Sequence, residues 1–349
     1  MKYFSASQLQ QISTKILDAA GSPHEESVIV SRALVRSNLM GHDSHGVLRI
    51  AQYVGDIRNG EILPGAPIEI EREMDASAVI NGNSGWGMVI AQKAMQLAID
   101  KARRCSIGTA VVRGSHHVGR VGEYPTMAAA AQMIGMAAIN SYGTPGMMAP
   151  WGGIDRRLSP NPLAFAMPSG EKWPVLVDVT TSVVPEGKVR AAQYAGESLP
   201  EGCIIDSEGN PTTDPNAFYG PPTGAILPLG GVMGHKGYGL GIVATLLAGA
   251  LSGVGCNGPE APMKGNGIFF QAINIDAFLP LEEFIQTVQG QIDWMKSSRR
   301  RHGVDEILFP GEPEFRTAQR RETEGIPVED SVWNEMVETA ESLGLELAE

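Results

Sequence analysis

Two adjacent histidines close an apolar run in this 349-residue chain. The run, Thr109-Ala110-Val111-Val112, reads as a short buried strand, and it opens into Gly114-Ser115-His116-His117-Val118-Gly119-Arg120-Val121-Gly122. Imidazole titrates nearest to neutrality, so a histidine fixed at a strand end can take a proton and return it at pH 7. A second segment, Gly41-His42-Asp43-Ser44-His45-Gly46-Val47-Leu48-Arg49, offers the same chemistry. Asp43 or Ser44 can cap a helix running to about Asn59, on which His45, Arg49 and Gln52 share one face with Tyr53 beside them. An imidazole, a guanidinium and a phenol then stand together, and a guanidinium fork holds a carboxylate by two parallel hydrogen bonds. Taken singly, each segment is equally compatible with a hydrogen-bonded turn or a solvated helix face. His42, His45, His116 and His117 are also a set from which a metal-dependent hydrolase could draw zinc ligands, although the glutamate of a zinc-protease helix is missing.

Composition narrows the classes. Apolar residues make up 43% and charged residues 19%, as in a folded globular chain long enough for two domains. The formal net charge of −12 argues against nucleic acid or an anionic membrane as the main partner, while leaving room for a small acid bound at a local basic site. Cys105, Cys203 and Cys256 lack metal-type spacing and fit a reducing compartment. No secretory pattern opens the chain, and the longest apolar stretch, Gly239 to Leu251, is too short to span a bilayer, so a cytoplasmic protein is expected.

The elements that must position these groups follow from periodicity. Ser5 with Gln8 reads as a capping box opening a helix to about residue 20, and Glu25 to Met40 as a second helix. Beyond the loop at Asn59 to Pro67, strand and helix patterns alternate: a strand at Ala78, a helix from Met88 to Ala102, the Thr109 strand, a helix from Tyr124 to Met133 and a strand from Ile134 to Ile139. Leu163 to Met167 and Val175 to Val177 read as strands. The latter leads into Asp178-Val179-Thr180-Thr181-Ser182, whose hydroxyls, with Lys188 nearby, suit a phosphate or ribose as well as an ordinary capped turn. His235-Lys236 stands at a glycine-rich helix start, a favourable place for an anion. Gly239 to Ala244 fits a loose G-x-G-x-x-A pattern but lacks both the preceding strand and the later acidic residue of a Rossmann fingerprint. Ile268 to Ile275 reads as a strand, Leu281 to Lys296 as a helix, Phe309 to Glu314 as a tight turn, and Asp330 to Leu343 as a closing helix.

In order along the chain, Gly41 to Gly46, Ser115 to Arg120, Asn161-Pro162, Asp178 with Thr181-Ser182, Pro211-Thr212-Thr213, Gly234 to Tyr238 and Pro310-Gly311-Glu312 resemble the type 2 malate/L-lactate dehydrogenase family. That family also contains sulfolactate, ureidoglycolate and diketogulonate enzymes. Gly202-Cys203-Ile204-Ile205-Asp206 is similar to a stretch of its 2-hydroxycarboxylate dehydrogenases. The resemblance implies an α/β (α+β) fold with a family-specific, non-Rossmann mixed sheet for a nicotinamide cofactor, NAD or alternatively NADP. It implies a helical domain from residues 1–72 with 315–349, a sheet domain over 73–314, and a homodimer with sites near the subunit interface. It matches His117 to the proton acceptor and His45 to a second active-site histidine touching substrate and cofactor. Gly119, Arg120, Val121, Ser141, Asp178, Val179, Thr180, Thr181, Ser182, His235, Lys236, Gly311, Glu312, Pro313 and Glu314 match cofactor-contacting segments. The expected reaction moves a hydride between the cofactor and a small 2-hydroxy or 2-oxo acid, with Arg49 clamping the carboxylate and Ser44 and Tyr53 orienting the substrate. Arg49 fits the malate/lactate pattern without being shared by every 2-hydroxycarboxylate enzyme, which leaves the acid open.

Overall fold

A computed structural model describes residues 1–258 and 264–347. Strand β1 (Lys2–Phe4) leads into helices α1 (Ala6–Ala19) and α2 (His24–Leu39). Both halves of the capping box are present at α1. The Gln8 amide donates to Ser5 Oγ at 3.3 Å, and the Ser5 amide donates to Gln8 Oε1 at 3.0 Å; such a cap contributes about 1 kcal/mol.

The third helix differs from its expectation. Two single 3-10 turns, Asp43–His45 and Val47–Arg49, precede α3 (Ile50–Arg58), because Gly46 is extended (φ −91°, ψ −154°). Packing causes the break. The Asn38 amide group fills the space a Cβ at position 46 would need, and Asn38 Oδ1 accepts from the Val47 amide at 2.9 Å. Asp43, expected as a cap, instead accepts from Arg321 at 2.7 and 3.0 Å.

Next come β2 (Glu69–Glu73), β3 (Ser77–Gly85), α4 (Gly87–Cys105), β4 (Ile107–Ser115), α5 (Glu123–Ala130), β5 (Met133–Tyr142), β6 (Leu163–Met167), β7 (Val175–Val179) and α6 (Glu186–Ala195). A small sheet of β8 (Ile204–Ile205), β9 (Pro211–Thr212) and β10 (Ala225–Ile226) encloses α7 (Pro215–Tyr219) in sequence. Then follow α8 (His235–Thr245), β11 (Gly265–Asn274), α9 (Leu281–Lys296), α10 (Glu312–Glu324), β12 (Ile326–Val328) and α11 (Asp330–Glu341). The large sheet has seven strands in the order β2-β3-β4-β11-β5-β6-β7. Only β3 and β4 run parallel; every other neighbouring pair is antiparallel. Gly239 to Ala244 lies inside α8, preceded by a 3-10 turn. Residues Phe309 to Glu314 are not merely a turn: Gly311 caps α10, with proline in its first helical turn.

Two cores hold these elements. Ile90, Ala94, Met95 and Ala98 of α4 pack with Ile80, Ala110, Val112, Ile268 and Phe270 of the sheet. Leu9, Ile16, Leu34, Ile50 and Val54 from the N-terminal helices share a second core with Ile326, Val328, Trp333 and Met336 near the C-terminus, joined by Trp86 and Met88. β2 belongs to the large sheet from Glu69 onward, and α10 runs unbroken through residue 315. Among the described residues, no helix is long and apolar enough to cross a membrane.

Candidate active site

The two histidine segments meet where the second core adjoins the end of β4. His117 follows that strand by two residues, and its Nδ1 lies 2.7 Å from the hydroxyl of Tyr53 on α3. Tyr53 is 1% exposed and sits edge-on to Trp86 at 5.6 Å, so its hydroxyl is held in place. The Gly119 amide nitrogen lies 3.4 Å from the same ring nitrogen, a long contact that leaves Nδ1 free to carry the ring hydrogen. Among the described residues nothing engages Nε2. The ring of His45 stacks on that of His117, with centroids 5.7 Å apart and planes inclined by 21°. Tyr53, expected to orient a substrate, therefore sets its hydroxyl oxygen against the imidazole instead.

Arg49 is fixed from within. Its Nε donates to Ser44 O at 2.8 Å and its Nη1 to Gln52 Oε1 at 2.8 Å, which leaves Nη2 unengaged among the described residues. Ser44 Oγ lies 3.0 Å from His45 Nδ1. Ser44, His45, Arg49, Gln52, Tyr53 and His117 thus form one constellation, although 3-10 turns rather than a continuous helix face bring the first four together. Burial first, and then the positive field of Arg49, His42 and Arg120, pulls the His45 pKa down to about 4. Burial, reinforced by His45, Arg49 and His116, holds His117 well below the ordinary histidine range. Both rings are neutral at pH 7. Burial also keeps the Tyr53 phenol protonated.

A second polar cluster joins the loop after β4 to β7 and α10. Arg120 is 4% exposed; its Nη2 donates to Glu123 Oε2 at 3.1 Å, while Nε and Nη1 are buried without partners. The Gly122 amide donates to Asp178 Oδ2 at 2.6 Å, and burial pushes that carboxyl up against the opposing pull of Arg120. Glu314 Oε1 faces His42 Nε2 at 3.6 Å, and its Oε2 is buried without a partner. Glu123, which also pairs with Arg36 at 3.1 Å, carries no local signal beyond its spacing of three from Arg120.

Several other expected contact residues are spent inside the chain. The hydroxyls of Thr181 and Ser182 donate to Asn161 O at 3.0 Å and Val184 O at 2.8 Å. Ser141 is tied to Asn161, Asn257 and Asn266. Buried Glu312 accepts from Lys296 at 2.8 Å, Arg316 at 2.6 Å and the Phe309 amide at 3.1 Å, so it builds the start of α10. Lys188, His235, Lys236, Val179 and Pro313 are exposed, and His235 lies edge-on to Trp151. Clefts of about 260 and 490 Å³ beside α2 and α4 contain none of the histidines.

The sequence model of the malate/L-lactate dehydrogenase family matches residues 4–337. The chain belongs to that family. It is 39% identical over 340 residues to malate dehydrogenase of Pyrococcus horikoshii, covering 95% of this chain and 93% of the relative. L-sulfolactate dehydrogenase of Methanocaldococcus jannaschii is 36% identical over 337 residues, covering 95% and 94%. Among solved structures, a putative malate/lactate dehydrogenase from E. coli superposes with a TM-score of 0.93 at 30% identity, covering 99% of this chain and 96% of that one. As a member of the malate/L-lactate dehydrogenase family, the chain is an oxidoreductase of hydroxycarboxylic acids.

The hydrolase alternative finds no support. His42 faces Glu314, His45 stacks on His117, and His116 turns towards Asp56 at 3.6 Å. Adjacent residues leaving a strand send their side chains to different neighbours, so the four imidazoles never converge.

Proposed function

We propose that the enzyme moves a hydride between NAD(P) and a small 2-hydroxy or 2-oxo acid, with His117 as the acid–base group. The observation that carries this reading is the Tyr53–His117 hydrogen bond of 2.7 Å beside the stacked His45 ring and the open end of Arg49. It sets Nδ1 against a fixed partner and leaves Nε2 for the substrate hydroxyl. In the oxidative direction the C2–H bond breaks and the O–H proton passes to Nε2. Nδ1 carries its hydrogen throughout and donates it to the Tyr53 oxygen, more strongly once the ring is an imidazolium. Arg49 holds the carboxylate, and that negative charge offsets the part of the pKa depression due to Arg49, so a bound acid makes His117 a better base. Ser44 and His45 line the same space. Holding C2 in a reactive geometry is worth several kcal/mol of barrier.

The second cluster fits a phosphate- and hydroxyl-bearing cofactor. The buried, partnerless Arg120 Nε and Nη1 supply donors and Glu314 Oε2 an acceptor. Gly122 keeps the space between Arg120 and Asp178 clear, since a Cβ there would fall 2.8 Å from Asp178 Oδ2 and 2.9 Å from Arg120 Nη1. Gly119 to Val121, Asp178 to Thr180 and Gly311 to Glu314 would hold the cofactor, which supplies a nicotinamide C4 that exchanges hydride with C2 of the acid. We read this as a non-Rossmann arrangement, supported by a sheet with a single parallel pair. A homodimer belongs to the same reading, supported by the exposed Leu240, Val243, Leu246 and Leu251 on and beyond α8.

Titration of the purified protein with NADH and NADPH by fluorescence, followed by a screen of 2-oxo acids including oxaloacetate, pyruvate and sulfopyruvate, tests the proposal. Saturable binding of one cofactor and its oxidation by at least one acid are expected. No turnover with any of them would sink it.

Tyr53→Phe separates orientation from mere packing. Losing a buried hydrogen bond to a charged ring costs roughly 1.5–3 kcal/mol, so kcat should fall about 10- to 100-fold with KM nearly unchanged. Because the imidazolium loses its acceptor, the pH above which 2-oxo acid reduction fades should move downward. An unmoved pH profile would show that Tyr53 only fills space.

A further inference from the structure

His116 is a mostly buried imidazole that this reaction does not use. Its side chain is 11% exposed, and Nδ1 is enclosed without a partner. Nε2 stands 3.6 Å from Asp56 Oδ2, beyond hydrogen-bond length. Glu61 comes back over the same point, because its own amide and that of Ile62 donate to Asp56 O at 2.8 and 3.1 Å. One ligand atom each from Asp56, Glu61 and His116 lies within 4.8 Å of the other two. This is the one such group among the described residues, and it contains only one of the four histidines first considered as ligands.

We propose that Asp56, Glu61 and His116 bind one divalent transition-metal ion that clasps the end of α3 to the segment carrying His117. The distances favour a shared cation over a shared proton. Zinc–nitrogen and zinc–oxygen bonds of about 2.1 Å that span the 3.6 Å gap meet at about 118°, close to the tetrahedral angle. Two carboxylates and one imidazole suit zinc, cobalt or manganese, with water completing the shell. Electrostatics point the same way. Asp56 lies in the last turn of α3 and Glu61 just beyond it, where the helix dipole adds negative charge to the two carboxylates. The rival cation is Lys264, whose positive field also reaches Asp56. The ion is a clasp: α3 carries Tyr53, and His116 is bonded to His117, so it fixes the two partners of the 2.7 Å hydrogen bond relative to each other.

The test uses the full-length protein, stripped with a chelator, desalted and titrated with zinc chloride by calorimetry. One equivalent per chain should bind, and zinc should raise Tm. Glu61→Gln, at an exposed position outside both cores, and Asp56→Asn should each weaken binding by about tenfold or more, since even the outer partners of metal ligands cost that much. His24→Ala, which removes an exposed histidine 2.9 Å from Asp18, should leave binding unchanged. Absence of zinc binding would overturn the proposal, as would equal affinity in wild type, Glu61→Gln and Asp56→Asn. Loss of binding in His24→Ala alone would move the site elsewhere and overturn it too.

Discussion

Replacing His117 with alanine should lower kcat by roughly 10²- to 10⁴-fold, the range that general acid–base groups contribute. Cofactor affinity, read by fluorescence titration, should stay near the wild-type value, because the donors and acceptors assigned to the cofactor lie on Arg120, Asp178 and Glu314. The pH profile gives an independent check. Oxidation needs a neutral His117, and its pKa in the free enzyme is depressed first by burial and then by its neighbours His45, Arg49 and His116. The acid limb of kcat/KM for the hydroxy acid should therefore lie below pH 6.5, the unperturbed value. A limb at or above 6.5, or turnover preserved in His117→Ala, would remove this residue from the chemistry.

The second large effect is expected at Arg49. Truncating one partner of a desolvated charge pair costs about 2–5 kcal/mol, so Arg49→Ala should raise KM for the acid by roughly 30- to 4,000-fold. Arg49→Lys should recover only part of this, because an ammonium cannot make two parallel bonds to one carboxylate. The Ser44 carbonyl and the Gln52 amide oxygen already orient the guanidinium, so little side-chain freedom is lost on binding. Gln52→Ala should consequently show a smaller rise in KM in the same direction. Steady-state kinetics at saturating cofactor measure all three, and an unaltered KM in Arg49→Ala would rule out the clamp.

Much of the scaffold was legible where one face of an element is apolar. The strand at Leu163–Met167 and the helix at Leu281–Lys296 agree with expectation to the residue, and the capping box at Ser5 marks α1 correctly. Helix α10 was not legible. Glu312 to Glu324 reads Glu-Pro-Glu-Phe-Arg-Thr-Ala-Gln-Arg-Arg-Glu-Thr-Glu, which offers almost no apolar stripe. Ion pairs hold it instead, Glu312 with Lys296 and Arg316, and Arg321 with Asp43. The candidate site shows the same division. Histidine and arginine types pointed to proton transfer and carboxylate binding. The bond from Tyr53 to His117 joins positions 64 apart, and the convergence of Asp56 and Glu61 on His116 depends on a turn after α3. Local spacing carries no record of either.

The pairing of Lys2 with Val328, and the apolar cluster that α1, α2 and α3 share with α11, bear on how the enzyme is made. During synthesis the helices bearing Arg49 and Tyr53 leave the ribosome hundreds of residues before the partners that complete their packing. They must wait with exposed leucine and isoleucine surface until Ile326 to Ala340 have emerged. A nascent chain stalled before Ile326 would therefore carry every reactive side chain discussed above and still lack the segment that sets them.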